Sequence, residues 1–237
     1  RAPRLAIVTD NRNFGANQSY IRSKTQFALD VGVACDVIVL KDEDEFIGNA
    51  EDYDGIIVQY PFRDYSFEEF RAYVTKHVPP CRDVDGIGEN SAFYACTPLG
   101  IVDYLDHLRH TKVLPNNVIV NLIGFGNLVG KPLAYMFMYD LDYETYITRS
   151  TTPKADADVF HKAAEVVICA TPKHNLITET FDGKVYIDCG CNLVDGKLLG
   201  NVSRDCYGPD KNITPVPNGV GRLTVLALFS NVLNAMS

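Results

Sequence analysis

The sequence predicts an α/β fold of two lobes, and three observations carry that expectation. Short β-branched runs alternate with helix-like segments, the pattern of mostly parallel sheets. One run, Val118-Ile-Val-Asn-Leu-Ile123, passes into closely spaced glycines at Gly124, Gly126 and Gly130, and a helix-compatible segment (Leu133, Ala134, Met136, Phe137) follows. The strands also fall into two groups, before and after about residue 112. A glycine turn between strand and helix lets the backbone adopt positive φ and approach a ligand closely. The free amides of the next helical turn then suit a pyrophosphate. The spacing here is G-x-G-x-x-x-G, one residue longer than the usual dinucleotide fingerprint. Taken alone it fits a structural turn as well as a nucleotide site.

Composition narrows the classes. The 237 residues allow one large or two small domains, with ample material for a core. A hydrophobic share of 46% and a charged share of 22% are ordinary for a globular protein. The net charge of −8 argues against a general nucleic-acid or membrane-surface binder, and no apolar run approaches the length of a membrane span. Seven scattered cysteines, at 35, 81, 96, 169, 189, 191 and 206, fit a reduced, cytoplasmic setting. The abrupt opening, Arg-Ala-Pro-Arg, reads as though sequence upstream had been trimmed.

Residues 4–9 read as a strand and 10–17 as a loop rich in turn formers. Arg12 and Phe14 occupy what would be ligand positions, so that loop is not a calcium site. Residues 18–31 read as a helix whose inward stripe is Tyr20, Phe27 and Val31, flanked by Ile21 and Ala28. Lys24 stands in the middle of that stripe. Either it extends past the apolar surface to water, or it is a desolvated amine usable as an acid or base. Ala34–Leu40 and Gly55–Gln59 read as strands, with a short surface helix between them in the acidic stretch Lys41–Glu51. Pro61 ends the third strand, so Gln59 stands at its carboxyl end, where open α/β sheets bind ligands.

Residues 66–77 read as a helix, and the loop 79–86 carries two carboxylates, Asp83 and Asp85. A helix near 99–110 puts Ile101, Leu105 and Leu108 on its inner face and His107 and His110 outside. That histidine pair lacks an acidic or cysteine ligand at the right spacing, and no metal is expected. After the glycine turn a helix runs to about Tyr139. Further strands follow at Glu144–Thr148, Val166–Ala170 and Val185–Asp188, with a tight turn at Cys189-Gly-Cys191. A hairpin over 193–202 turns at Asp195-Gly196. The chain ends in an apolar helix, Leu223–Met236. A ligand is expected in a cleft between the lobes.

Several collinear segments together resemble the bifunctional methylenetetrahydrofolate dehydrogenase/cyclohydrolase family. Tyr20 and Lys24 match a Tyr-x-x-x-Lys helix motif, and Val58-Gln59-Tyr60-Pro61 is similar to Val-Gln-Leu-Pro. Arg82-Asp-Val-Asp85-Gly86 resembles Lys-Asp-Val-Asp-Gly, and Cys96-Thr-Pro98 resembles Pro-Cys-Thr-Pro. Ile123–Pro132 is similar to Ile-Gly-Arg-Ser-x-Ile-Val-Gly-x-Pro, and Asp188–Asn192 to Asp-x-Gly-Ile-Asn. Pro215–Gly221 with Thr224 resembles Pro-Val-Pro-Gly-Gly-Val-Gly-x-x-Thr. The matches run from about residue 5 to 235.

The resemblance implies an N-terminal catalytic domain over 1–112 with 222–237, the last helix returning to it. A Rossmann-like NAD(P) domain would cover 113–221. It implies oxidation of 5,10-methylenetetrahydrofolate to the methenyl form and hydrolysis to 10-formyltetrahydrofolate, feeding purine biosynthesis. Lys24 would be the acid/base, Gln59 its tuner, Tyr20 a positioning group and Asp85 the pterin anchor. Val58, Tyr60, Pro217, Asn218, Gly219, Val220 and Gly221 would complete the substrate site. The cofactor would meet Gly124, Phe125, Gly126, Asn127, Leu128, Val129, Arg149, Ser150, Thr171 and Cys191. The implied partners are a polyglutamylated folate and a second copy in a homodimer, with no nucleic acid and no membrane.

Departures from the pattern matter. Phe125 and Gly126 replace the family's Arg-Ser, which helps hold the NADP 2′-phosphate. About twenty residues past the turn, where an NAD enzyme carries an acid, stand Arg149 and Ser150. Arg149 offers a charge-assisted partner to a phosphate, which favours NADP over NAD. Pro172 replaces a glycine, Asn218 a glycine and Arg222 a proline, and the family's helix before the first strand is missing. Three rival expectations follow: a cyclohydrolase with a weakened dehydrogenase, a non-catalytic folate or nucleotide binder, and a shikimate-type dehydrogenase. The Pro215–Gly221 segment tells against the last.

Overall fold

The computed structural model describes residues 1–41, 49–141 and 143–236. Two compact units form, Arg1–Cys96 with Val225–Ser237, and Thr97–Thr224.

The first unit is built on β1 (Arg4–Asp10), whose residues from Leu5 onward are all buried. Parallel β2 (Ala34–Leu40) and β3 (Gly55–Val58) flank it, Ile7 pairing with Val37 on one side and Ile57 on the other. The order β2-β1-β3 reverses direction at β1, and Gln59 lies one residue past β3, its amide donating to Val8 O at 2.7 Å. Helix α1 (Phe14–Val31) starts four residues before the expected 18 and ends at Gly32, whose φ is +76°. Helix α2 (Phe67–His77) opens with Ser66 and Glu69 capping each other reciprocally, as Ser-x-x-Glu encodes. It packs Phe70 and Val74 against Ala6, Val8, Ile56 and Phe62. The surface helix expected over Lys41–Glu51 lies mostly outside the described residues; Ala50–Asp52 is a single 3-10 turn.

The inward stripe of α1 needs correction. Its buried positions are Asn17, Ile21, Lys24 and Ala28, while Tyr20 is 46% exposed and Val31 is exposed too. Phe27 is half-buried and meets Phe229 at a ring separation of 4.9 Å. The buried face is rotated by about 60° from the expected one, and Lys24 belongs to both. The expected flanks Ile21 and Ala28 and the central Lys24 are buried, whereas Tyr20 and Val31 are not, because the polar Asn17 completes the inward face.

The second unit contains α3 (Cys96–His110) from Thr97 onward, then β4 (Ile119–Ile123) and α4 (Gly130–Tyr135). The helix after the turn continues to Asp140, as expected, but its last five residues widen into a π turn. β5 (Glu144–Thr148) and α5 (Lys154–Ala163) follow; that helix was not expected, since its face is mostly polar and none of its residues is fully buried. β6 (Val166–Cys169), β7 (Val185–Asp188) and β10 (Asn212–Ile213) complete a parallel sheet in the order β10-β7-β6-β4-β5. Between β7 and β10 lies the antiparallel hairpin of β8 (Asn192–Val194) and β9 (Lys197–Leu199). Asp195 and Gly196 both have positive φ there, as a two-residue hairpin turn requires. Ile101, Leu105 and Leu108 of α3 pack with Val120, Leu122 and Phe137 in one core. That packing sets α3 with the second unit, whereas the division at 112 had put it with the first.

The last helix, α6 (Val220–Asn234), lies with the first unit from Val225 onward, as expected of a returning helix. Asn231, 3% exposed, donates to Val84 O at 3.0 Å and Tyr94 O at 3.3 Å. It thereby holds both sides of the loop that carries Asp85. Asn231→Ala removes both bonds and is expected to cost about 1–3 kcal/mol, read as a lower urea midpoint; an unchanged midpoint would refute the tie.

Candidate active site

In the first unit the chemistry gathers where the strand order reverses. Lys24 is 7% exposed and Gln59 8%, and Lys24 Nζ donates to Gln59 Oε1 at 2.7 Å. Of the two readings of Lys24, the structure takes the buried one. Gln59 Nε2 donates to Tyr60 O at 2.9 Å, so the amide nitrogen is engaged and the oxygen is left to face the lysine. Tyr60 turns its ring into Phe67 and Phe70, 6.2 and 5.0 Å away. Val58 is buried in the core beside it.

Asp10, at the end of β1, organises the surrounding backbone. Its carboxylate accepts from Arg12 N at 2.9 Å, Asn13 N at 3.1 Å and Arg63 N at 2.7 Å. Burial opposes its ionisation, but the donors from Arg63, Asn13 and Arg12 outweigh that and hold the carboxyl below the usual range. Asp10 therefore joins the start of α1 to the segment after Gln59. Sequence reading passed over it as a loop residue.

Asp85 is half-buried, and its backbone carbonyl accepts from Cys96 N at 3.3 Å. Burial pushes the Cys96 thiol up; the charge of Asp85 adds to this and that of Lys24 opposes it, so both charges act at this thiol. Gly86 follows with φ of +69°, and a Cβ there would lie 2.4 Å from the Tyr94 carbonyl carbon, so only glycine fits. Tyr20 lies on the exposed side of α1.

In the second unit the glycine turn leaves β4 at the strand-order reversal, with β5 and β6 on either side of β4. Gly124 has φ of +106°, and a Cβ there would stand 2.2 Å from Ala170 O and 3.0 Å from Thr171 Cγ2. At Gly130 a Cβ would stand 2.4 Å from Gly124 O, while Gly126 faces open space. Asn127 Oδ1 accepts from Lys131. Leu128 is exposed and Val129 is half-buried before α4. Phe125 packs against the core, and the Arg149 guanidinium sits 4.1 Å over its ring. Ser150 and Cys191 are exposed.

Asn201 holds Thr171, donating to its carbonyl at 2.9 Å and its hydroxyl at 3.0 Å. Pro217 and Asn218 are exposed, and Asn218 has positive φ. Gly219 is half-buried, where a Cβ would meet Pro215 O at 2.3 Å. Val220 is buried and Gly221 exposed.

A third carboxylate, Asp83, shapes the Asp85 loop. It is 2% exposed, accepts from Gly88 N at 2.7 Å, and its carbonyl accepts from the Ser91 hydroxyl. Burial pushes its carboxyl up to about 6, and the charge of Asp85 adds to this against the Gly88 amide. A raised carboxylate stabilises the fold in its protonated form. That contribution is complete below the ordinary carboxylate value and is lost as pH rises through about 6. Between about pH 4 and 6 the unfolding free energy from urea titration is expected to fall relative to Asp83→Asn, by roughly 2–3 kcal/mol in all; parallel curves for the two proteins would refute it.

Comparison with known proteins identifies the family. Residues 95–237 match the family model described as tetrahydrofolate dehydrogenase/cyclohydrolase, NAD(P)-binding domain. Bifunctional protein FolD of Macrococcus caseolyticus is 32% identical over 254 residues, which cover 98% of this chain and 86% of that protein. A 5,10-methylenetetrahydrofolate dehydrogenase of the silkworm Bombyx mori superposes with a TM-score of 0.83 at 26% identity, covering 99% of this chain and 87% of that one. The bifunctional FolD of Campylobacter jejuni superposes at 0.80 and 24%, covering 98% and 87%, a likeness of fold. The polar centre of the first unit, the glycine turn of the second and these relatives together show that the chain belongs to the tetrahydrofolate dehydrogenase/cyclohydrolase family.

Proposed function

We propose that this protein oxidises 5,10-methylenetetrahydrofolate to the methenyl form with NADP and hydrolyses that product to 10-formyltetrahydrofolate. The observation that carries the reading is the buried Lys24 on Gln59 Oε1 at 2.7 Å. A buried amine paired with a neutral acceptor, not a carboxylate, can take up and release a proton without separating an ion pair.

When bound, the nicotinamide supplies the acceptor for the hydride leaving the methylene carbon. The chain's own part in that step is orientation. Gly124, Gly126 and the turn amides suit a pyrophosphate, and Gly126 leaves open space for its approach.

Hydrolysis needs more from the protein. Water adds its oxygen to the methenyl carbon, and the Lys24 amine receives a proton. As the carbonyl forms and the carbon–N5 bond breaks, the ammonium returns a proton to N5, and the second proton of water goes to solvent. Gln59 accepts from the ammonium throughout, Asp85 anchors the pterin, and Tyr20 positions it. In the same reading Val58, Tyr60 and Pro217–Gly221 line the folate side, while Ser150, Thr171 and Cys191 join the turn on the cofactor side. The protein is a cytoplasmic homodimer acting on polyglutamylated folate, with the β8–β9 hairpin, where Leu193 is 74% exposed, as the pairing edge.

A second reading has one observation behind it. Phe125 and Gly126 occupy the turn positions that resemble the family's Arg-Ser, so a cyclohydrolase with a weak dehydrogenase fits too.

Methenyl product absorbance, followed with methylenetetrahydrofolate and NADP or NAD in parallel and read before and after acid quenching, tests both. Product with NADP supports the first reading. No product with either, while added methenyltetrahydrofolate still disappears faster than in buffer, selects the second. Lys24→Ala is expected to lower hydrolysis by about 10²–10⁴-fold; full retention would remove the role given to that lysine. Arg149→Leu is expected to raise KM for NADP by about tenfold or more and to leave NAD unchanged, and equal effects on both cofactors would overturn the phosphate contact.

A further inference from the structure

Asn17 lies two turns before Lys24 on the same face of α1 and is fully buried, with 0% exposure. Its Nδ2 donates to Pro61 O at 2.8 Å, with Thr9 Oγ1 at 3.2 Å and Gln59 O at 3.4 Å. Its Oδ1 has no hydrogen-bond partner among the described residues. The surrounding acceptors fix the orientation of this amide, because the flipped form would set its oxygen against two carbonyls. A buried amide with one end unpaired costs stability that an apolar residue would not.

The place it holds explains the cost. Gln59, Tyr60 and Pro61 offer three consecutive carbonyls. Asn17 takes the first and third, and Gln59's own Nε2 takes the second. With all three directions set, Gln59 has one orientation left, in which Oε1 faces Lys24. If the segment turned, the glutamine could present Nε2 instead, and an ammonium has no acceptor for that group. We propose that Asn17 is a positioning residue of the hydrolytic step, holding the 59–61 segment so that Gln59 keeps its amide oxygen on Lys24. The proposal rests on the reading of Lys24 as the acid/base.

The test separates the two. Lys24 acylation by a limiting amine-reactive anhydride is read by mass spectrometry of the full chain, with exposed Lys76 as internal reference. Asn17→Ala and Gln59→Leu are each expected to raise Lys24 labelling about fivefold, and the double variant no further, since both remove one acceptor. Asn17→Ser keeps one donor hydrogen and is expected to give about a twofold rise, which serves if the alanine variant does not fold. Hydrolysis of methenyltetrahydrofolate is expected to lose about tenfold in kcat with KM within twofold. Unchanged labelling in the folded variants overturns the proposal, as do additive effects in the double variant. Raised labelling with unchanged kcat in an active wild type overturns it as well. A wild type with no hydrolysis refutes the functional reading, while the labelling still decides whether Asn17 acts through Gln59.

Discussion

The first unit depends on one constraint: an ammonium in the core stripe of a helix must have an acceptor, because burying it without one costs several kcal/mol. Here the acceptor is neutral. An amide oxygen contributes a charge-assisted hydrogen bond without the full attraction that a carboxylate would use to hold the proton. A neutral acceptor must then be aimed well, since it has no long-range field to compensate for poor geometry. The order of the neighbourhood follows from that need. Gln59 stands where β3 stops, its amide nitrogen is tied to Tyr60, and the Tyr60 ring is wedged against Phe67 and Phe70. Asp10 fastens the segment beyond it through Arg63 and the helix entry through Arg12 and Asn13.

In the second unit scaffold and specificity are borne by different residues. Asp188 is buried at the end of β7 and accepts from the amides of Gly190, Asn201 and Val202, each at 2.8 Å. Gly200 and Gly190 come so close to it that a side chain on either would overlap its carboxylate or the neighbouring backbone. Asn201 then holds Thr171, and Ala170 closes on Gly124. The carboxyl ends of β4, β6 and β7 are thus cross-tied from within the unit. Phe125 and Arg149 stand outside those ties, on the β4–β5 side. Their exchange for other residues alters what the turn presents to a ligand without loosening what holds the turn.

Most of the fold was legible because its signals are local. β2, β5 and β7 have the ranges their β-branched runs give, the hairpin turns at Asp195-Gly196, and α2 begins at its Ser-x-x-Glu cap. Helix α5 escaped although its sequence is amphipathic: it is short, and none of its residues is fully buried. Within the site Lys24 and Gln59 could be read, one as a charge on an inward face and the other as the residue where a strand must stop. Asn17, Asp10 and Asp83 could not, since Asn and Asp are ordinary turn residues. Their importance comes from partners about fifty residues away along the chain for Asp10 and Asn17, and no spacing rule reaches that far. The rotation of α1 about its axis was offset for a related reason: the buried face includes the polar Asn17 beside Lys24, and hydrophobicity alone shifts the face toward Tyr20 and Val31.

The two units put the same topology to opposite electrostatic use. Each sheet reverses its strand order at its first strand, so each opens a notch at that strand's carboxyl end, above the start of the following helix. In the second unit the residues from Gly124 to Lys131 include no acid, so no carboxylate of the turn opposes an anion there. In the first, the carboxylate of Asp10 already accepts the amides of Arg12 and Asn13 just ahead of α1, and donors hold it ionised to unusually low pH. A phosphate would meet that charge, so this notch does not suit one. What it offers instead is a buried proton donor on a neutral acceptor, flanked by the loop of Asp83 and Asp85. That suits a weakly charged heterocycle that must be anchored and protonated. A single acid at the end of β1, without a counterpart in the glycine turn of the other unit, gives the two notches different charge.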